Sequence, residues 1–224
     1  MRILAVVGLT GVLLFPPTPV AQVAQTSKQV EHSKLFQNYG VKGHKLTDGQ
    51  GDAHVVHHEE PMLKETLPTR AVLLGSLACQ SDAVILGKVV SQTAVLSQDE
   101  TFIFTDAEIS VVEVLKDNSA SHIYPNQSIT VTRPGGSLQV NGRKLTMRLS
   151  HFRDFSIGGQ FVFFLRFLPA TLDYQAFGDR SFELRDGLIF NLTKNALWDG
   201  QQSGGQDGAA AMVDARTAAA SPCN

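Results

Sequence analysis

Two cysteines, one tryptophan and three tyrosines stand in a chain of 224 residues. Two thiols are too few for a disulfide-dense mini-scaffold or a four-cysteine zinc site. Excess charge is also scarce: 19 Lys and Arg face 21 Asp and Glu, for a formal net charge of −2. That balance argues against bulk electrostatic binding of nucleic acid or of an anionic membrane. Beyond residue 15 no apolar run reaches the roughly 20 residues of a membrane-spanning helix. Gly-x-Ser-x-Gly, His-Glu-x-x-His and Gly-x-x-x-x-Gly-Lys-Ser/Thr are all missing, which removes the nucleophile elbow, the zinc-protease helix and the phosphate loop. No internal repeat of supersecondary length is found. What is present is a chain 43% hydrophobic, too apolar for disorder and sufficient for a core. Its length fits about one to two domains.

The N-terminus carries the strongest signal. Met1-Arg2 is a short positive start, Ile3–Phe15 is apolar and uncharged, and Pro16, Pro17 and Pro19 end the run. Ala21 and Ala24 follow as small residues near a cut. Residues 1–24 thus have the layout of a secretory signal peptide, with an apolar run too short to span a bilayer. The expected location is secreted or periplasmic, with no transmembrane segment in the mature chain. In such an oxidising compartment Cys79 and Cys223 make an even pair. A bridge between them would tie the C-terminal tail to the start of the core; the alternative is two unpaired thiols.

Residues 25–65 are polar and glycine-broken, and read as a linker or a partly ordered arm. Five of the seven histidines lie there: His32, His44, His54, His57 and His58. Residues 66–198 read as the folded domain. Thr66 is a helix cap, Pro68 suits a first turn, and Leu67, Ala71, Leu74, Leu77 and Ala78 give one apolar face. From Ala83 the period becomes two. Strands are expected over 83–96 (with Gly87 as a bend), 101–116, 129–133, 160–168, 174–177, 181–184 and 188–192. Leu138 to Leu145 reads as a hairpin turning at Asn141-Gly142. The Arg133-Pro134-Gly135-Gly136-Ser137 stretch reads as a turn. Residues 199–224 are Gly-, Ala- and Gln-rich and read as a flexible tail. The fold class is mainly β with one preceding α-helix: antiparallel neighbours joined by short turns favour a barrel or sandwich, and a small barrel would remove the exposed edges of the long strands.

Cys79-Gln80-Ser81-Asp82 ends the predicted helix and leads into Ala83-Val84-Ile85-Leu86-Gly87-Lys88-Val89-Val90. A second strand from Phe104 to Lys116 follows. This passage of about 40 residues resembles the start of the netrin-like modules of tissue inhibitors of metalloproteinases, and is similar to exported bacterial proteins with an OB-like barrel. The resemblance implies an OB-fold barrel whose Cys-x-Ser-Asp junction enters the first long strand. It also implies that Cys79 occupies a bridged position, in favour of a Cys79–Cys223 pair. The inhibitors chelate zinc through an N-terminal cysteine. This chain has no cysteine before Cys79, so that mechanism has no carrier here.

Two clusters offer chemistry. In His54-Val55-Val56-His57-His58-Glu59-Glu60, a helix would put His54 and His57 or His58 on one face, with Glu59 or His44 as a further ligand. Imidazole with carboxylate suits Zn²⁺, Cu²⁺ or Ni²⁺. The other reading is a solvated arm with incidental histidines.

Charge is also segregated. Residues 99–117 hold Asp99, Glu100, Asp106, Glu108, Glu113 and Asp117 against Lys116 alone, a net −5. Residues 126–153 hold Arg133, Arg143, Lys144, Arg148 and Arg153 with no acid, a net +5. The basic set is a candidate site for an anion or a partner. Its structural alternative is cross-strand pairing with the acids of the second strand. Phe161, Phe163 and Phe164 read as core. His151 with Asp154 is a base–orienter spacing, and Asp106 with Glu108 share a strand face read as exposed.

The expectation is a non-enzymatic exported barrel module with no cofactor. Its partner would be a protein or an anionic polymer outside the cytoplasm, and not nucleic acid. The alternatives are a metal-dependent exported hydrolase using the histidine arm, or an extracellular protease inhibitor.

Overall fold

The computed structural model describes residues 25–57, 69–149, 152, 154–191 and 206–223. The signal-peptide reading of residues 1–24 lies outside the described residues. In chain order the elements are α1 (Ser27–Leu35), β1 (Ala53–His57), α2 (Arg70–Cys79), β2 (Ala83–Leu96), β3 (Ile103–Lys116) and β4 (Ser128–Pro134). Then come β5 (Gly136–Val140), β6 (Arg143–Leu149), β7 (Gln160–Leu168), β8 (Asp173–Arg185), β9 (Leu188–Asn191), β10 (Gln206–Asp207) and α3 (Gly208–Ala220). Among the described residues no helix is long and apolar enough to cross a membrane.

The chain is mainly β and barrel-like. β2 pairs antiparallel with β3 and with β7, β3 pairs antiparallel with β4, and β7 pairs antiparallel with β8. A short parallel contact of β4 with β8, Val131 beside Tyr174, brings the sheet round into a near-closed ring. β1, β6 and β5 form a separate three-stranded sheet, in which β1 and β6 are parallel. The purely antiparallel expectation is therefore corrected at two pairings. The expected hairpin is β5–β6, with Asn141 and Gly142 at φ +50° and +76° as a tight hairpin turn requires. The turn expected at residues 133–137 is instead a corner, because strand continues on both sides of Gly135.

Three apolar clusters hold these layers. Inside the ring lie Ile85 and Val89 of β2, Ile109 of β3, Val131 of β4, Phe161 and Phe163 of β7, and Tyr174 of β8. The alternate residues of the same strands, Val84, Val162, Phe164 and Phe182, face outward and pack against α2 and α3. β7 is apolar on both faces for this reason, one face inside the barrel and one under helices. Gly87 makes room: a Cβ there would meet the Ile109 side chain and stand 3.4 Å from the Phe163 ring. It also sits at a register shift that lets the long β2 curl between two partners. The third cluster joins Phe102, Ile103 and Phe104 to Leu145 and Met147 of β6 and to Phe36.

Both ends of the domain differ from expectation. Thr69 caps α2, accepting from the Val72 amide, and Leu73 joins Leu74, Leu77 and Ala78 on the buried face while Ala71 stays exposed. Thr66 and Pro68 lie outside the described residues. The polar arm contains α1 and β1. Thr26 and Gln29 form a reciprocal capping box, which starts a helix without any apolar stripe.

The tail, too, is ordered where it is described. Asp207 accepts from the Ala209 and Ala210 amides, and Ala211, Met212 and Ala215 lie buried against α2. Alanine forms helix readily, and its small side chain allows close helix approach. Arg70 pairs with Asp214 at 2.7 Å, and Arg216 grips Glu113 with two bonds of 2.8 Å. Cys79, the last residue of α2, is disulfide-bonded to Cys223 beyond α3, with Cα atoms 5.4 Å apart.

Candidate functional site

The strand register builds a polar lattice on one outer face of the ring. Ser91 of β2 pairs across to Glu108 of β3, and Glu108 to Thr130 of β4. Thr93 likewise stands beside Asp106, and Asp106 beside Thr132. A period of two keeps Ser91 with Thr93, Asp106 with Glu108, and Ser128 with Thr130 on the same side. α1 lies against this lattice. Together they enclose a groove of about 320 Å³, bounded at one end by Asp173. A second hollow of about 240 Å³ adjoins it, sharing Lys28, Ser128, Thr130 and Asp173, and reaches His122 and Leu172.

His32 fixes α1 to the lattice. Its ring is 1% exposed. Nδ1 stands 2.9 Å from Asp106 Oδ1, and Nε2 stands 3.2 Å from Thr171 Oγ1 and 3.3 Å from Asp173 Oδ2. Lys28 donates to the other Asp173 oxygen at 3.1 Å. Burial opposes the imidazolium charge. The hydrogen bond to Asp106 and the close ion pair with Asp173, with their Coulomb attraction, outweigh it and raise the pKa from 6.5 to about 9. Burial likewise pushes the Asp173 carboxyl up, but His32 and Lys28 hold it below the usual carboxylate range.

The clamp's pH window follows from these directions. The His32 share of stability is complete below pH 6.5 and is lost as pH rises through about 9. The Asp173 share is present above its ordinary value and is lost as pH falls through its lowered one. The His32 shift corresponds to roughly 3 kcal/mol. In neutral solution the ring is a donor at both nitrogens. It has no lone pair with which to act as a general base.

Glu108 is held differently. The Ser128 hydroxyl donates to Oε1 at 2.8 Å, and the Ser91 hydroxyl to Oε2 at 3.1 Å. Among the described residues no cation pairs with it. Asp106, whose face reads as exposed in the sequence, is covered by α1 through His32, while Glu108 remains open. Across the second hollow, Tyr174 ties the 117–127 loop to β8 by donating to the Ser121 carbonyl at 3.3 Å. Leu172 projects beside it at φ +58° with 68% exposure.

The structure disperses the other predicted residues. His54 is exposed and His57 half-buried on opposite faces of β1, because parallel pairing with β6 makes this segment a strand and not a helix. The His57 ring meets Tyr39 edge-on at 6.1 Å. His58 and Glu59 lie outside the described residues. Among those described, no group of three or more His, Cys, Asp or Glu side chains is placed to hold a metal.

The basic set does not form one patch either. Arg133 is 3% exposed, bonded to Asp154 at 2.6 Å and seated over the Phe155 ring at 5.2 Å. Burial lowers its pKa, and Asp154 works against that. Arg143 donates to the backbone carbonyls of Thr47, Asp48 and Gly51, in the segment whose sequence reads as a linker or a partly ordered arm. Lys144 and Arg148 are exposed on β6, and Arg153 lies outside the described residues. The acids of β3 are not their partners, since Asp106 pairs with His32 and Glu113 with Arg216. His151 also lies outside the described residues, and Asp154 serves Arg133. His122 pairs with Asp117 at 2.6 Å on an exposed loop.

His32, Lys28, Thr171 and Asp173 are the residues that sequence reasoning passed over. The Thr26/Gln29 capping box was the available signal for the helix. Nothing local marks the partners of His32, since Asp106 is 74 residues away. No family model matches the chain, and comparison with curated proteins returns no match.

Proposed function

We propose that this chain is an exported, non-enzymatic barrel module that binds a polar partner in the groove between α1 and the barrel. The observation that carries the reading is the position of the groove. Around the ring the strands follow the order β2-β3-β4-β8-β7, which is first, second, third, fifth, fourth in the chain, with the third and fifth parallel. That order supports an OB-like barrel. OB barrels bind ligands across their second and third strands and the loop joining the fourth to the fifth. Here those are β3, β4 and the loop before β8, which line the two hollows through Asp106, Glu108, Ser128, Thr130 and Leu172. Fold alone gives no function, so the groove's chemistry bears the weight.

That chemistry favours binding. The lining is mostly hydroxyl and carboxylate, with Lys28 and Gln29 beside them, and the buried imidazole is occupied at both nitrogens. The Ile3–Phe15 run supports export, and the disulfide suits an oxidising compartment. The metal-dependent hydrolase reading draws no support from β1, where His54 and His57 point apart. Protease inhibition rests on the Cys79-Gln80-Ser81-Asp82 junction alone.

Equilibrium dialysis of the mature chain against soluble cell-surface glycan fragments and short peptides tests this. At least one ligand should be retained, released by Glu108→Lys, and recovered chemically unchanged. Conversion of a ligand into product, or retention insensitive to Glu108→Lys, would overturn the proposal.

A further inference from the structure

A helix that docks by hydrophobic burial presents an apolar stripe. α1 has none: His32 is its one buried residue, and Leu35 is 36% exposed. The attachment is therefore made by charge along the helix and by packing at its end. His32 sits between Asp106 and Asp173, and Lys28 pairs with Asp173. Phe36, just past the helix, is fully buried against Phe104 and Tyr39 and anchors that end. Segments held by few apolar contacts open at the lowest free energy.

Resting on the groove reading above, we infer that α1 is a built-in occupant of a cation-binding site on the barrel, displaced by a basic, extended segment of a partner protein. The carboxylates belong to β3 and β8 and do not need α1 to be present. Their chosen chemistry is already on display, because the chain itself fills the site with an imidazolium and an ammonium. A lysine or arginine side chain offers the same donors. The groups facing the site are Lys28 from α1, Asp106 and Glu108 from β3, Asp173 from β8 and Thr171 from the preceding loop.

Glu108 extends the argument. It stands two residues along β3 from Asp106, on the same face and about 7 Å away. Two serine hydroxyls orient it, and among the described residues no cation pairs with it. Two carboxylate positions about 7 Å apart match basic side chains at alternate positions of an extended peptide, which share one side of the strand.

The probe is an acetylated Lys-Ser-Lys-Ser peptide amide at low ionic strength, where exposed ion pairs are least screened. His32→Ala in the full chain should raise hydrogen exchange of the residue 30–36 amides at least tenfold, leave β3 amides unchanged, and tighten peptide binding about tenfold. Adding Glu108→Gln to that variant should weaken binding about tenfold. A His32→Ala chain with a freed α1 and no gain in binding would overturn the inference.

A second measurement needs no variant: saturating peptide should speed α1 exchange in the wild-type chain. Peptide bound with α1 protection unchanged would equally overturn it. Retention of another ligand by the wild-type groove, with this peptide failing, removes the inference and leaves the groove reading standing.

Discussion

Cys79→Ser/Cys223→Ser lowers the midpoint of thermal unfolding by about 10 °C. The bridge joins residues 144 apart, so it closes most of the folded chain into one loop. In the chain-entropy description such a loop removes ~5 kcal/mol of freedom from the unfolded state, and losses on removal of native bridges run about 2–5 kcal/mol. For a chain of this size each kcal/mol moves the midpoint by about 2–4 °C. Placement sharpens the prediction. The bridge ties the end of α2 to Cys223, just beyond the end of α3, and those helices cover the outward face of β7 and β8. The double variant should therefore lose amide protection in α3 before the barrel opens. Melting of the oxidised chain, the reduced chain and the double variant checks this. A shift under about 2 °C would mean that α3 is held without the bridge.

Phe163→Ala costs about 3–5 kcal/mol, the range for emptying a buried aromatic site. The ring is fully buried in the barrel interior. It meets Phe155 edge-on at 5.3 Å and Phe161 at 5.5 Å, and Gly87 gives it space. The surrounding strands pair around a ring, so the cavity has no easy way to collapse. Phe163→Leu keeps much of the volume and should cost under about 1.5 kcal/mol. Urea unfolding of the two variants distinguishes a packed barrel interior from a loose one. A cost under about 1 kcal/mol for the alanine variant would contradict the packing described.

The strands were legible because their signal is local. Alternation placed β2, β3 and β4 within two residues of their observed ends, and Asn141-Gly142 marked the hairpin. The run at 160–168 was read as core, and Phe161, Phe163 and Phe164 are buried. Its division between two opposite faces needed the helices that cover one of them. The sequence suggests two short strands, 174–177 and 181–184, on either side of Gly178-Asp179. In the structure one continuous strand, β8, crosses that point, paired on both sides of it with β7.

The site was much less legible. α1 is polar, so the hydrophobic period that reveals most helices was missing, and its capping box was the sole local mark. The histidine cluster drew attention because its members are close in sequence, yet strand geometry separates His54 from His57. His32 stood alone in the sequence and gained its role from Asp106 and Asp173, which only the folded chain brings together. The basic run misled for the same reason. Arg133 went inward to Asp154 and aromatic rings, and Arg143 to backbone carbonyls. The Ala209–Ala211 and Ala218–Ala220 runs suggest a short helix, but nothing local anchors it; the anchor is α2, against which its small residues pack.

A charged His32, held between Asp106 and Asp173, clamps α1 over the polar face of the barrel. The clamp's most direct test is the NMR titration of the His32 ring in the folded chain. Two slowly exchanging ring N–H protons at pH 7 and a titration midpoint near 9 are expected. A ring that is neutral at pH 7, titrating near its ordinary value of 6.5, would contradict the clamp and restore a general base to the groove.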